Sequence, residues 1–101
     1  MKFAVSPLVR RQFEERAQWY EHYRGKDFVK SFAQNIFSTY RAIAQMPTIG
    51  RIEQKGKRAT YRSFLAHPGC RIYYVHDQTL IRIQRLHFSA METPPSTLNR
   101  N

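Results

Sequence analysis

The stretch Ala42-Ile43-Ala44-Gln45-Met46-Pro47-Thr48-Ile49-Gly50-Arg51-Ile52-Glu53 divides the chain into two kinds of pattern. Before Pro47 the apolar residues recur at a helical period; after Gly50 they follow a shorter, extended one. Proline has no N–H and blocks helix continuation, so Pro47 ends the helical half. Working back from it, Val29, Phe32, Ala33, Ile36, Tyr40, Ile43 and Ala44 form one stripe. That spacing predicts a helix from Asp27 to Met46, with Asp27 as its cap. Before it, Val9, Phe13, Arg16/Ala17, Tyr20 and Tyr23 predict a second helix. Ser6-Pro7 supplies a hydroxyl cap and a first-turn proline for that helix, and Gly25 a stop. Two amphipathic helices joined this tightly pair as an antiparallel hairpin. Lys2 to Val5 is a short strand candidate.

Working forward from Gly50, Arg51 to Glu53 and Ala59 to Leu65 read as extended around the basic turn Gln54-Lys55-Gly56-Lys57. Ala66-His67-Pro68-Gly69 is a turn, Arg71 to Val75 a strand, Asp77-Gln78-Thr79 a turn, and Leu80 to Phe88 a last strand. Ile81 and Ile83 share one face of that strand, whereas Leu86 and Phe88 fall in the other phase. A bulge near Gln84-Arg85 reconciles them. Strand, two helices and a meander argue for an α+β domain with the helices on one face of the sheet. The domain is expected over residues 1–88, with 89–101 a flexible tail containing Pro94-Pro95.

At 101 residues the chain has room for one modest core and none for a separate cofactor domain. Its 17 Lys+Arg against 7 Asp+Glu leave a net charge of +10, which calls for an acidic partner. Residues 1–50 carry eight basic and four acidic side chains, and residues 51–88 eight and two, so the strand half is the more positive. The single cysteine, Cys70, excludes an intrachain disulfide framework and a cysteine-based zinc site, and suits a reducing cytoplasm. No apolar run approaches the roughly 20 residues of a spanning helix. A nucleophile elbow, a phosphate-cradling glycine loop and a metal-ligand cluster are all missing from the sequence, and no cofactor is expected.

Chemistry, if present, lies among the arginines and histidines of the strand half. Arginine binds phosphate through a planar fork, so Lys55, Lys57, Arg58, Arg82 and Arg85 are candidate contacts to nucleic acid or another target. Tyr61, Tyr73 and His87 are candidates to stack on bases. Cleavage of RNA by its own 2′-hydroxyl needs a base, a phosphate clamp and an acid. Glu53, Arg62 or Arg71, and His87 are of the right types for those roles. A solvated sheet face rich in arginine accounts for the same residues with no chemistry at all. His22 reads as solvated, His67 as a turn residue, and His76 as lying beside the Asp77 turn.

The chain resembles the RelE/ParE toxin superfamily. The resemblance runs through Phe3-Ala4-Val5-Ser6-Pro7, Met46-Pro47-Thr48-Ile49-Gly50-Arg51, Tyr61-Arg62-Ser63-Phe64, His67-Pro68, Arg71-Ile72-Tyr73-Tyr74-Val75 and Leu86-His87, covering residues 3 to 88. It implies a β-α-α-β-β-β fold with a helical hairpin on a small, mainly antiparallel sheet. It also implies the growth-inhibiting toxin of a type II toxin–antitoxin module, of the kind that stabilises plasmids, held in a hetero-oligomer by a small acidic antitoxin. ParE-like members act on DNA gyrase without chemistry; RelE-like members cut mRNA on the ribosome. The His67-Pro68 turn and Leu86-His87 resemble the ParE-like pattern. Glu53, Arg71 and His87 fall near the Glu, Arg and His of some RelE-like nucleases, with Phe88 where those carry Tyr. The ParE-like reading leads, a metal-independent endoribonuclease is its alternative, and a non-toxic basic nucleic-acid-binding domain is the third.

Overall fold

The computed structural model describes residues 2–66 and 69–89. The elements run β1 (Lys2–Val5), α1 (Pro7–Arg24), α2 (Lys26–Gln45), a one-turn 3-10 segment (Pro47–Ile49), β2 (Arg51–Lys55), β3 (Thr60–Ala66), β4 (Cys70–His76) and β5 (Leu80–Phe88). All four strands read after Gly50 are present, so the sheet has one strand more than the order implied by the resemblance. The His67-Pro68 turn, and the expected tail beyond Ser89, lie outside the described residues.

Helix α1 begins as its sequence dictates. Ser6 accepts a hydrogen bond from the Val9 N–H at 3.1 Å, and Pro7 occupies the first turn. It stops at Gly25, whose φ of +90° is costly for a residue bearing a Cβ. Helix α2 then starts one residue earlier than expected. Gly25 is its cap and offers no side chain, while Asp27 sits inside the first turn, where its charge suits the helix dipole. The α2 stripe faces inward as read, with Phe32, Ile36, Tyr40 and Ile43 buried. Tyr23 departs from the α1 stripe and is 62 % exposed.

The sheet order is β1-β5-β4-β3-β2, antiparallel except for the β1–β5 pair. Its inner face presents Ala66, Cys70, Ile72, Tyr74, Ile81, Ile83 and Leu86 to the helices. The bulge in β5 is real. Tyr73 pairs with Arg85 and Tyr74 with Ile83, leaving Gln84 unmatched, so Ile81, Ile83 and Leu86 all point inward. Backbone groups around the bulge find partners on the helical side: Leu86 N–H donates to Gln12 Oε1 at 2.9 Å, and Ser6 Oγ donates to the Gln84 carbonyl at 3.4 Å. Cys70 is wholly buried, and burial pushes its thiol up to about 12. It is an inert core residue.

Candidate functional site

Both helices lie on one face of the sheet, and among the described residues nothing packs on the other. That second face carries Arg51 and Glu53 from β2, Tyr61, Ser63 and Leu65 from β3, Arg71 and Tyr73 from β4, and Arg82, Arg85 and His87 from β5. Leu65 is 56 % exposed, and Arg51, Arg82, Arg85 and His87 are exposed. The face is open and arginine-rich.

Its centre is a chain of side chains crossing three strands. Ser63 Oγ donates to Glu53 Oε2 at 2.5 Å and accepts from Arg71 Nη1 at 3.0 Å. Arg51 Nε donates to the same Glu53 oxygen at 2.6 Å. The Ser63 hydrogen bond first, and the Arg51 guanidinium second, hold the Glu53 carboxyl below its ordinary range, so it is ionised at neutral pH. Next to this chain, His87 stands opposite Arg71 in the β4–β5 pairing, on the same face. Tyr61 and Tyr73 stack on each other, centroids 5.9 Å apart and planes at 24°.

Three of the four residues of catalytic type thus come together: Glu53, Arg71 and His87 share the open face, from three different strands. Arg62 does not join them. It pairs with Tyr74 and turns toward the helices, where Nε donates to His76 Nε2 at 2.9 Å and Nη1 to the Gly50 carbonyl at 2.8 Å. Tyr74 acts on the same segment, its hydroxyl donating to the Pro47 carbonyl at 2.6 Å and accepting from Gly50 N–H at 2.9 Å. A Cβ on Gly50 would stand 2.6 Å from that hydroxyl and 2.7 Å from the Ser63 carbonyl, so the close approach requires glycine. Arg62, Tyr74 and His76 form a clamp on the crossover from α2 into β2. Phe88 packs inward against Phe32 and under the Arg16 guanidinium, 4.3 Å from the ring centre.

Of the candidate contact residues, Arg82 and Arg85 lie on the open face, while Lys55, Lys57 and Arg58 are exposed at the β2–β3 turn. The sequence did not single out Ser63, although it joins Glu53 to Arg71 and is 1 % exposed. His76, which lies beside the Asp77 turn as read, ends β4 and accepts the Arg62 hydrogen bond. Burial first, and Arg62 second, lower its pKa. No group of three or more His, Cys, Asp or Glu among the described residues is placed to hold a metal ion. No described helix is long and apolar enough to cross a membrane.

A second surface lies where β1 meets the helices. Val5, Val9, Arg10, Phe13, Glu14, Phe37 and Tyr40 line a groove of about 270 Å³, and Phe37 and Phe3 at its margin are 46 % and 38 % exposed. Exposed aromatic rings beside a groove suit a partner more than they suit solvent.

No family model and no curated protein matches the chain. Among solved structures, a chain of one described as "Chromosomal ParDE TA system from P. aeruginosa" is similar in fold, with a TM-score of 0.71 and 12 % sequence identity over 88 % of this chain and 96 % of that one. The two share an architecture, a ParE-like α+β domain with a helical hairpin on a mainly antiparallel sheet.

Proposed function

We propose that this chain is the growth-arresting toxin of a type II toxin–antitoxin pair, and that the open, arginine-rich sheet face is the surface with which it acts. The fold likeness to a chain of a ParDE toxin–antitoxin system carries the first part of the reading. The second follows from charge, since the face holds four arginines and no described element of the domain covers it. An acidic antitoxin neutralises the surplus of +10, and its apolar residues enter the groove between β1 and the helices. Toxin and antitoxin then form a hetero-oligomer in the cytoplasm.

For the target, the first reading is DNA gyrase, inhibited by binding alone, as the ParE-like resemblance implies. A specific observation favours a second: Glu53, Arg71 and His87 come from three strands onto one face that is accessible and basic. In that reading Glu53 takes the proton from a ribose 2′-hydroxyl and the freed oxygen attacks the adjacent phosphorus. Arg71 steadies the added negative charge, and His87 delivers a proton to the departing 5′-oxygen. The reaction consumes no metal and no cofactor.

The test is induction of the chain in growing cells, with and without co-expression of the product of the upstream or downstream neighbouring reading frame. Arrest that the neighbour relieves supports the toxin reading, and unimpaired growth at strong induction refutes it in favour of a non-toxic nucleic-acid-binding domain. Primer extension on mRNA from arrested cells, set beside a gyrase supercoiling assay with purified protein, separates the two targets.

A further inference from the structure

Tyr61 and Tyr73 are out of place as core residues. They lie on the face that no helix covers, half-buried by their neighbours, and stack nearly parallel with centroids 5.9 Å apart. Cross-strand aromatic contact stabilises a sheet modestly, and a β-branched pair does the same in a solvated position. Two rings side by side on an uncovered sheet do something further, because every nucleobase has a π-face that stacks on such a ring. The surroundings match the rest of a nucleotide. Tyr73 stands directly across from Arg85 on one side and Ser63 on the other, and Arg51 stands across from Ser63, so Arg51 and Arg85 end the register row that holds Tyr73. Arg71 follows on β4, two residues before Tyr73. Among the described residues Glu53 is the one acidic side chain of this face, and it is engaged by Arg51 and Ser63.

We propose that Tyr61 and Tyr73 form a stacking platform for an unpaired base of single-stranded nucleic acid, with the strand's phosphates against Arg51 and Arg85. The inference rests on the open face being the working surface, and it needs neither gyrase nor ribosome to be tested. A duplex keeps its bases stacked on one another and has none to offer the rings, so the platform selects single strands.

The probes are a fluorescently labelled ten-nucleotide oligouridine, the matching oligothymidine, a ten-base-pair duplex, and a fully abasic backbone of the same length and charge. Both single strands should bind the purified protein at least tenfold more tightly than the abasic backbone and the duplex. Tyr61→Leu and Tyr73→Leu should each weaken single-strand binding roughly 5- to 150-fold and leave the salt dependence unchanged. Tyr→Phe at either position should bind like wild type, since the ring does the stacking. Arg85→Gln should instead lower the salt slope by about one phosphate's worth. The stronger of the two single strands names the natural chemistry, RNA or DNA. Equal binding of the abasic backbone and the oligothymidine, a comparison that requires no variant to fold, overturns the platform. So does wild-type affinity in folded leucine variants. A protein that arrests growth yet fails this comparison keeps the toxin reading and loses the platform; one that passes it without arresting growth does the reverse.

Discussion

Replacing Tyr74 by Phe removes one oxygen atom and tests what holds the sheet to the helices. The ring is wholly buried and stays, so no apolar contact is lost and no cavity opens. What goes is a hydroxyl that donates to Pro47 O at 2.6 Å and accepts from Gly50 N–H at 2.9 Å. Gly50 is buried, and its N–H is left without that acceptor, which costs about 1–3 kcal/mol; losing the bond to Pro47 adds about 1 kcal/mol. Together that is about 2–4 kcal/mol, a large share of the roughly 5–15 kcal/mol that stabilises a small domain. At about 4–8 °C per kcal/mol for a chain of this size, the melting temperature should fall by at least roughly 8 °C. Urea unfolding followed by far-ultraviolet circular dichroism gives the free energy directly. Arg62→Met in the same background supplies a double-mutant cycle, because Arg62 holds the carbonyl of the residue whose N–H Tyr74 holds. A Tyr74→Phe protein within about 0.5 kcal/mol of wild type would refute the reasoning and leave the crossover held by packing alone.

Three further outcomes are expected. Because burial and Arg62 lower the His76 pKa, the neutral ring's contribution is complete above the ordinary histidine value near 6.5 and is lost as pH falls through the lowered folded value. Wild type should therefore lose urea resistance relative to His76→Gln between pH 7.5 and 5, and a constant gap between the two would count against it. Gln12→Leu removes the acceptor of Leu86 N–H beside the bulge and should cost about 1–3 kcal/mol in thermal unfolding, whereas Gln12→Glu keeps an acceptor oxygen and should cost less. His87→Gln should be nearly silent for growth arrest if the chain acts on gyrase by binding. A folded His87→Gln protein that no longer arrests growth, with Arg71→Lys behaving likewise, promotes the ribonuclease.

The elements most legible in the sequence are those fixed by local chemistry. Ser6-Pro7, Gly25 and Pro47 set helix ends through caps and missing donors, and the phase slip between Ile83 and Leu86 announced the bulge at Gln84 because side-chain alternation admits no other repair. Asp27 misled because Gly25 can begin a helix without a side chain. The parallel β1–β5 pair was not legible, being a contact between residues some 80 apart with no turn to signal it. Within the site, Arg62 and Arg71 were interchangeable on paper. Alternation in β3 puts Arg62 in phase with Phe64 and puts Ser63 in phase with Tyr61 and Leu65, and both sets are apolar enough to be the core. Only the helices, by covering one face, separated the clamp from the open site. Ser63 gave no signal, since a serine in a strand has the same appearance whether it bridges two charges or faces water.

The two faces of the sheet are mechanically linked through β2. This strand is an edge, exposed along its whole length and paired on one side only, with a register shift between Ile52 and Gln54. Such a strand is among the first parts of a domain to open. It nevertheless carries Arg51 and Glu53, which complete the chain of hydrogen bonds on the open face. What holds its start is on the opposite side: Tyr74 and Arg62 grip Gly50, the residue just before Arg51, from the helix face. Ser63 meets Glu53 from below, and its strand neighbour Arg62 reaches to Gly50, so adjacent residues of β3 steady β2 from both faces at once. Loosening the clamp therefore frees Glu53 without touching it. For a binding poison this weakens one corner of an interface whose other arginines remain in place. For a ribonuclease it displaces the general base, where an error of about 1 Å costs on the order of a hundredfold in rate. A folded Tyr74→Phe protein that retains oligonucleotide binding but loses toxicity is thus the signature of chemistry, and one that retains both is the signature of binding alone.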